Sequence, residues 1–152
     1  MKVYLGSDQH GEKLRPLLVS YVRKLGYEAE DLEMSIDFPL IARKVSERVL
    51  EYAGMGFLIC GTGQGMAIVA NRNRGIRAVA CSTIEDARHA RERHDANILA
   101  IGADRVGYLL AKNIVYAFLI TDFTKEERYK RRIKQMDDLC VGHSFFKSHL
   151  PH

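Results

Sequence analysis

Short apolar runs closed by glycine or cysteine alternate here with segments whose apolar residues return every three or four positions. Val3-Tyr-Leu5 ends at Gly6, and Leu14, Leu17, Leu18, Tyr21, Val22 and Leu25 then recur at helical steps up to a stop at Gly26. Proline suits only the first turn of a helix, so Pro16 sets the start near Leu14 or Arg15. Tyr27 to Leu32 gives a weaker strand signal. Asp37-Phe-Pro39 reads as a cap with proline in the first turn, opening a helix with Ile41, Val45 and Val49 on one face. Phe57-Leu-Ile-Cys60 reads as a buried strand, followed by a glycine-rich turn and a helix from Met66. Ile76–Cys81 and Ile98–Ile101 are two more strand candidates, separated by a charged helix over 85–93. Two final helices are expected over 106–120 and 125–139. This βαβα order with five strands predicts a doubly wound parallel sheet covered on both faces. It predicts one domain over 1–140, with residues 141–152 as an arm or tail carrying three of the six histidines.

A chain of 152 residues can bury a core without disulfides or a structural metal. Its three cysteines (Cys60, Cys81, Cys140) are widely spaced, which suggests neither a zinc site nor a redox pair and fits a reducing compartment. No apolar run is long enough to span a membrane and no secretory leader is evident, so the expectation is a cytoplasmic protein. The net charge of +4 is matched by one segment, 125–134, where six basic residues face two acids. Such a patch suits nucleic acid or a small anion; the near-neutral remainder favours the small anion.

In an open parallel sheet ligands bind beyond the carboxyl ends of the strands. Gly6-Ser-Asp8-Gln-His10-Gly11, Cys60-Gly-Thr-Gly-Gln-Gly65 and Cys81-Ser-Thr83 fall there. The alternating glycines at 61, 63 and 65 let the backbone turn tightly and aim N–H groups at one point, as a phosphate or an enediolate oxyanion requires. A structural turn without a ligand is the alternative. The dinucleotide fingerprint fails at Met66, and the P-loop pattern is absent. Cys60, last in its strand, is placed to act as a base. Asp8 and His10 on the neighbouring loop suit ring opening or hydroxyl binding, although an aspartate there also caps helices. Arg128 and Arg132, four apart, can converge on one anion; a solvated helix face is the alternative.

Together these segments resemble the ribose-5-phosphate isomerase B / galactose-6-phosphate isomerase family, from Met1 to about Gln135. Leu5-Gly-Ser-Asp8 with Gly11 resembles its G-[SC]-D-H-x-G, and Asp37-Phe-Pro39 its D-[YF]-P. Ile59-Cys-Gly-Thr-Gly-Gln-Gly65 resembles I-C-G-T-G-x-G, the most specific match. Ala70-Asn71 with Gly75–Ala78 resembles A-N-K…G-I-R-A, Asp95–Leu99 resembles N-D-x-N-V-L, and Arg128–Arg132 resembles R-H-x-x-R. The resemblance implies a Rossmann-like subunit, a homodimer or dimer of dimers with interfacial active sites, a phosphorylated monosaccharide substrate and no metal or organic cofactor. It implies Cys60 as the base that moves a proton between C1 and C2. Gly61, Gly63 and Gly65 with Thr62 would hold the oxyanion, Asp8 would lie near the ring oxygen, and Asn71 and Asn97 would support the site. Arg128 and Arg132 would hold phosphate, one or both from the partner subunit.

The departures bear on the sugar more than on the reaction. Gln9 stands at the family's first histidine, with His10 one place later. Arg93 aligns with a second family histidine assigned to ring opening, with His94 one place later. Asp104 stands where the family has an arginine, Tyr129 replaces a third histidine, and Glu126-Glu127 replace the usual glycines. His10, His94 and Arg93 are therefore the candidates for ring opening and substrate contact. Ribose 5-phosphate is the default substrate; a hexose or tetrose phosphate, or a non-catalytic sugar-phosphate-binding subunit, are the alternatives.

Overall fold

The computed structural model describes residues 1–139; Cys140 and the expected tail lie outside the described residues. Five strands, β1 (Lys2–Ser7), β2 (Glu28–Met34), β3 (Met55–Cys60), β4 (Ala78–Ala80) and β5 (Ile98–Gly102), form one wholly parallel sheet in the order β2-β1-β3-β5-β4. Six helices connect or follow them: α1 (Leu14–Lys24), α2 (Phe38–Tyr52), α3 (Gln64–Ala70), α4 (Ile84–His94), α5 (Tyr108–Ile120) and α6 (Glu127–Asp138).

Alternation along the strands sorts the core into two layers, as the pleat requires. Val3, Leu5, Phe57, Ile59, Leu99 and Ile101 face α1, α4 and α5, with Phe57 edge-on to Phe118 at 5.9 Å. Tyr4, Leu58, Cys60, Ile98 and Ala100 face α2 and α3. Both faces are thus covered, the doubly wound arrangement that the pattern predicts. Each fully buried leucine, isoleucine or phenylalanine contributes about 1.5–3 kcal/mol. No helix among the described residues is long and apolar enough to cross a membrane.

Three local readings are revised. β4 is three residues long rather than six, because the amide nitrogens before it are taken elsewhere. Ile76 N–H donates to Asn73 O, and Arg77 N–H donates to Asn97 Oδ1 at 2.8 Å. β2 runs on to Met34; as a charged, half-exposed edge strand it carries little apolar signal. Asp37 occupies the cap position of α2, but its side chain makes no capping hydrogen bond there.

The chain reverses its direction of travel across the sheet between β1 and β3, so the carboxyl ends of those strands border the switch point. Asp8 and Cys60 stand there.

Candidate active site

The carboxyl edge of the sheet is assembled almost wholly by backbone. Asp8 N–H donates to Ile59 O at 3.1 Å, which ties the loop after β1 to β3. The Asp8 carboxylate is buried and accepts from the N–H groups of His10 (2.8 Å) and Gly11 (3.3 Å), capping a single 3-10 turn over Gln9–Gly11. Asp8 therefore does cap a turn, and that duty also fixes where its carboxylate lies.

Cys60 ends β3 with its side chain buried, and its Sγ accepts the Gly63 N–H at 3.1 Å. Gln64 N–H turns back to Thr62 Oγ1 at 3.3 Å. These bonds revise the expectation that every amide from 61 to 65 aims at an oxyanion: the Gly63 amide aims at the sulfur. Gly63 has φ +81°, a conformation that a side chain would strain, and a Cβ there would stand 3.3 Å from the backbone of Ala100 and Gly102. Thr62 Oγ1 accepts from within the loop, which leaves its hydroxyl hydrogen to donate outward. The loop after β5 closes the group, with Ala103 N–H donating to Cys60 O and Asp104 N–H to Gly61 O at 3.0 Å. There the Asp104 carboxylate meets His10, with Nδ1 and Oδ2 3.7 Å apart.

The remaining predicted residues gather at the other edge. α4 runs antiparallel to the strands, so Arg93 and His94 lie at the amino end of β5, and the link to α6 is fastened there by Thr124 Oγ1 donating to Glu92 O at 3.0 Å. A cavity of about 430 Å³ is lined by Arg93, His94, Arg128 and Arg132, together with His89 and Tyr129. Tyr129 is the buried anchor of α6. Its ring lies under the guanidinium of Arg128 at 4.7 Å and that of Arg93 at 5.9 Å, and its hydroxyl accepts from Arg128 Nη2 at 2.9 Å. Glu126 also accepts from Arg128 Nε at 3.0 Å. Burial, with His89 and Arg93 adding to it, holds the His94 imidazole below its ordinary value. Three guanidiniums and two imidazoles line this one cavity, a donor set that suits an anion.

The Asn71 and Asn97 amides are both engaged with backbone. Asn71 Nδ2 donates to Ala78 O and its Oδ1 accepts from Ala78 N, at 2.8 and 2.7 Å. Asn97 Nδ2 donates to Gly75 O and its Oδ1 accepts from Arg77 N, both at 2.8 Å. Both brace the entry to β4. His89 was not among the expected site residues; the available signal was its four-residue spacing from Arg93 on one face of a charged helix. Cys81 is buried and its thiol is pushed up to about 12 by burial, with Asp86 adding to it, so it stays an inert thiol. No cluster of three or more His, Cys, Asp or Glu able to hold a metal occurs among the described residues.

Strands of five and six residues separate the two groups by about 15–20 Å. A single subunit thus carries the two groups at opposite ends of its sheet.

A parallel sheet with a glycine-loop cysteine at its switch point and a cationic cavity at the far edge defines a class. Residues 3–136 match the model of the family described as Ribose/Galactose Isomerase, and the chain belongs to that family. It is 37% identical over 139 residues to the ribose-5-phosphate isomerase B of Escherichia coli strain K12, covering 88% of this chain and 92% of the relative. It is also 37% identical over 134 residues to a 4-deoxy-4-sulfo-D-erythrose isomerase of a Clostridium species, covering 82% of each. Among solved structures, ribose-5-phosphate isomerase B of Clostridium thermocellum superposes with a TM-score of 0.90 at 37% identity, covering 94% of this chain and 99% of that one.

Proposed function

We propose that this sugar-phosphate isomerase interconverts ribose 5-phosphate and ribulose 5-phosphate in a homodimer, each active site combining the carboxyl edge of one subunit with the amino edge of the other. The observation that carries the proposal is the separation of the half-sites. One holds groups suited to proton transfer and the other holds groups suited to an anion.

In this reading the Cys60 sulfur, oriented by the Gly63 amide, removes the proton from C2 of the open-chain aldose and returns it to C1, while the O2 hydroxyl proton passes to O1 and leaves the carbonyl at C2. The negative charge that develops on O1 meets the Thr62 hydroxyl and the amides of the loop other than that of Gly63, as preorganised donors require. Arg128 and Arg132 of the partner subunit hold the phosphate, with Arg93 beside them, and so fix the carbon chain over the sulfur. The names of the relatives support an isomerase of this kind while pointing to sugars of different length.

Two measurements test the proposal. The first follows conversion of four-, five- and six-carbon aldose phosphates, and of the sulfonated tetrose, by NMR. Turnover of ribose 5-phosphate with the highest kcat/KM is expected; a clear preference for another sugar replaces the substrate and leaves the reaction. The second mixes Cys60→Ala and Arg132→Ala subunits after joint unfolding and refolding. Assayed well below KM, each parent retains about a tenth of wild-type activity or less, but half of randomly reassorted dimers are hybrids, and each hybrid regains one intact site. Roughly a quarter of wild-type activity should return. Activity that stays at the parental level excludes a site shared between subunits.

A further inference from the structure

The histidine on the first loop has a partner that the proposed chemistry has not used. Asp104 sits three residues before the cap of α5, so capping that helix does not explain it. Its backbone is fastened to the loop that carries Cys60, through Asp104 N–H to Gly61 O at 3.0 Å. Its carboxylate faces His10 Nδ1 at 3.7 Å, and both groups are more than half exposed at the mouth of the site. Gly61 leaves the space for this pairing. A Cβ on Gly61 would stand 2.9 Å from Asp104 Oδ2 and 3.7 Å from His10 Cγ. Three loops, after β1, β3 and β5, thus converge on one carboxylate–imidazole pair beside the buried Cys60.

The other histidine considered for ring opening has opposite surroundings. His94 lies in the cavity with Arg93, Arg128 and Arg132, where a protonated imidazole adds to existing positive charge. His10 instead has a carboxylate beside one ring nitrogen, and its second nitrogen makes no hydrogen bond among the described residues.

We infer that Asp104 is a positioning residue for ring opening, holding His10 with Nδ1–H toward the carboxylate and Nε2 toward the anomeric centre. This inference rests on the isomerase reading of the Cys60 loop. Nε2 takes the proton of the anomeric hydroxyl, and the freed electron pair forms the C1 carbonyl. The bond from C1 to the ring oxygen breaks, its electrons stay on that oxygen, and the same Nε2 returns the proton there. Sugar and imidazole end with the protons they began with, and the transient imidazolium is offset by Asp104, as a carboxylate offsets the histidine of a hydrolase triad. Cys60 then acts on the open chain.

The test separates ring opening from enolisation. Ribose 5-phosphate closes to a furanose, whereas ribulose 5-phosphate has no hydroxyl placed to close a ring. Deuterium wash-in at C1 of the ketose in heavy water therefore reports enolisation alone. Asp104→Asn and His10→Asn should each lower kcat/KM on the aldose at least tenfold and leave ketose wash-in within twofold of wild type. The double variant should be no slower than His10→Asn alone, since the two groups act as one unit. Asp104→Glu, which keeps a carboxylate within reach, should recover part of the loss. Equal losses in both assays, no loss in either, or additive losses in the double variant would each overturn the assignment. Cys60→Ala should abolish wash-in. Wash-in that survives in Cys60→Ala removes the base, not the ring-opening pair.

Discussion

At the carboxyl edge of the sheet, Cys60, Gly63 and Gly102 are locked by backbone, and a Cβ on Gly102 would lie 2.7 Å from Thr62 main-chain atoms. At the amino edge, Arg93, Arg128 and Arg132 reach from exposed helix faces into a cavity that their own side chains define. The first edge tolerates almost no change of shape. The second can be rebuilt one side chain at a time. Proton transfer needs a base within a few tenths of an ångström of its target, and main chain supplies that precision. An anion needs only converging positive charge at reachable distance. A family whose members act on sugars of different length is therefore expected to keep the first edge and vary the second.

The largest effect should come from breaking the rigid edge. Cys60→Ala should lower kcat by about 10²–10⁴, the usual contribution of a positioned base, while far-ultraviolet circular dichroism stays native. Near-normal kcat in this variant would move the base elsewhere, with Asp8 the next candidate.

Breaking the adaptable edge should look different. Arg128→Ala or Arg132→Ala should raise KM more than it lowers kcat, because each guanidinium contributes about 1.5–3 kcal/mol to holding a charged oxygen. That corresponds to roughly ten- to hundredfold in kcat/KM, and the penalty should vanish on the unphosphorylated sugar. Equal efficiency on the sugar and its phosphate in the wild-type protein would return α6 to a solvated basic helix. Arg128→Ala should cost more than Arg132→Ala, since it also uncovers the Tyr129 ring and leaves the Tyr129 hydroxyl without its donor.

The same contrast explains what could be read from the sequence. Glycines at 61, 63 and 65 are demanded by positive φ and close approach, and steric demands of that kind leave a motif. The strand ending at Cys60 is buried on both faces, so its apolar run was also plain. The cationic edge leaves no such trace, because six basic residues on a helix read equally well as a solvated face. His89 joins that cavity through the packing of α6 on α4, which no local pattern encodes. Asn71 and Asn97 are similar: the backbone each one braces lies 7 to 22 residues away, so no site motif encodes the bracing. The pairing of His10 with Asp104 joins positions almost a hundred residues apart, and only the β1-β3-β5 strand order brings their loops together.

The smallest expected effect sharpens the comparison through pH. Burial, His89 and Arg93 hold the folded His94 imidazole below its ordinary 6.5, so the folded protein resists a proton that the unfolded chain accepts. Well above pH 7 the imidazole is neutral in both states and contributes nothing to the pH dependence. As pH falls through 6.5 the unfolded chain binds more protons, and stability declines until the folded imidazole also titrates. His94→Gln keeps the residue polar and removes the titration. Its unfolding midpoint should therefore fall less than that of wild type between pH 7 and 5, and the difference should be small because the side chain is exposed. Inorganic phosphate should shrink the difference further, since an anion in the cavity offsets the positive charge that opposes protonation. Urea melts across this range, with and without phosphate, measure both effects. Identical pH profiles for His94→Gln and wild type would show that the positive charge of this cavity does not reach His94, and the adaptable edge would then be narrower than its lining suggests.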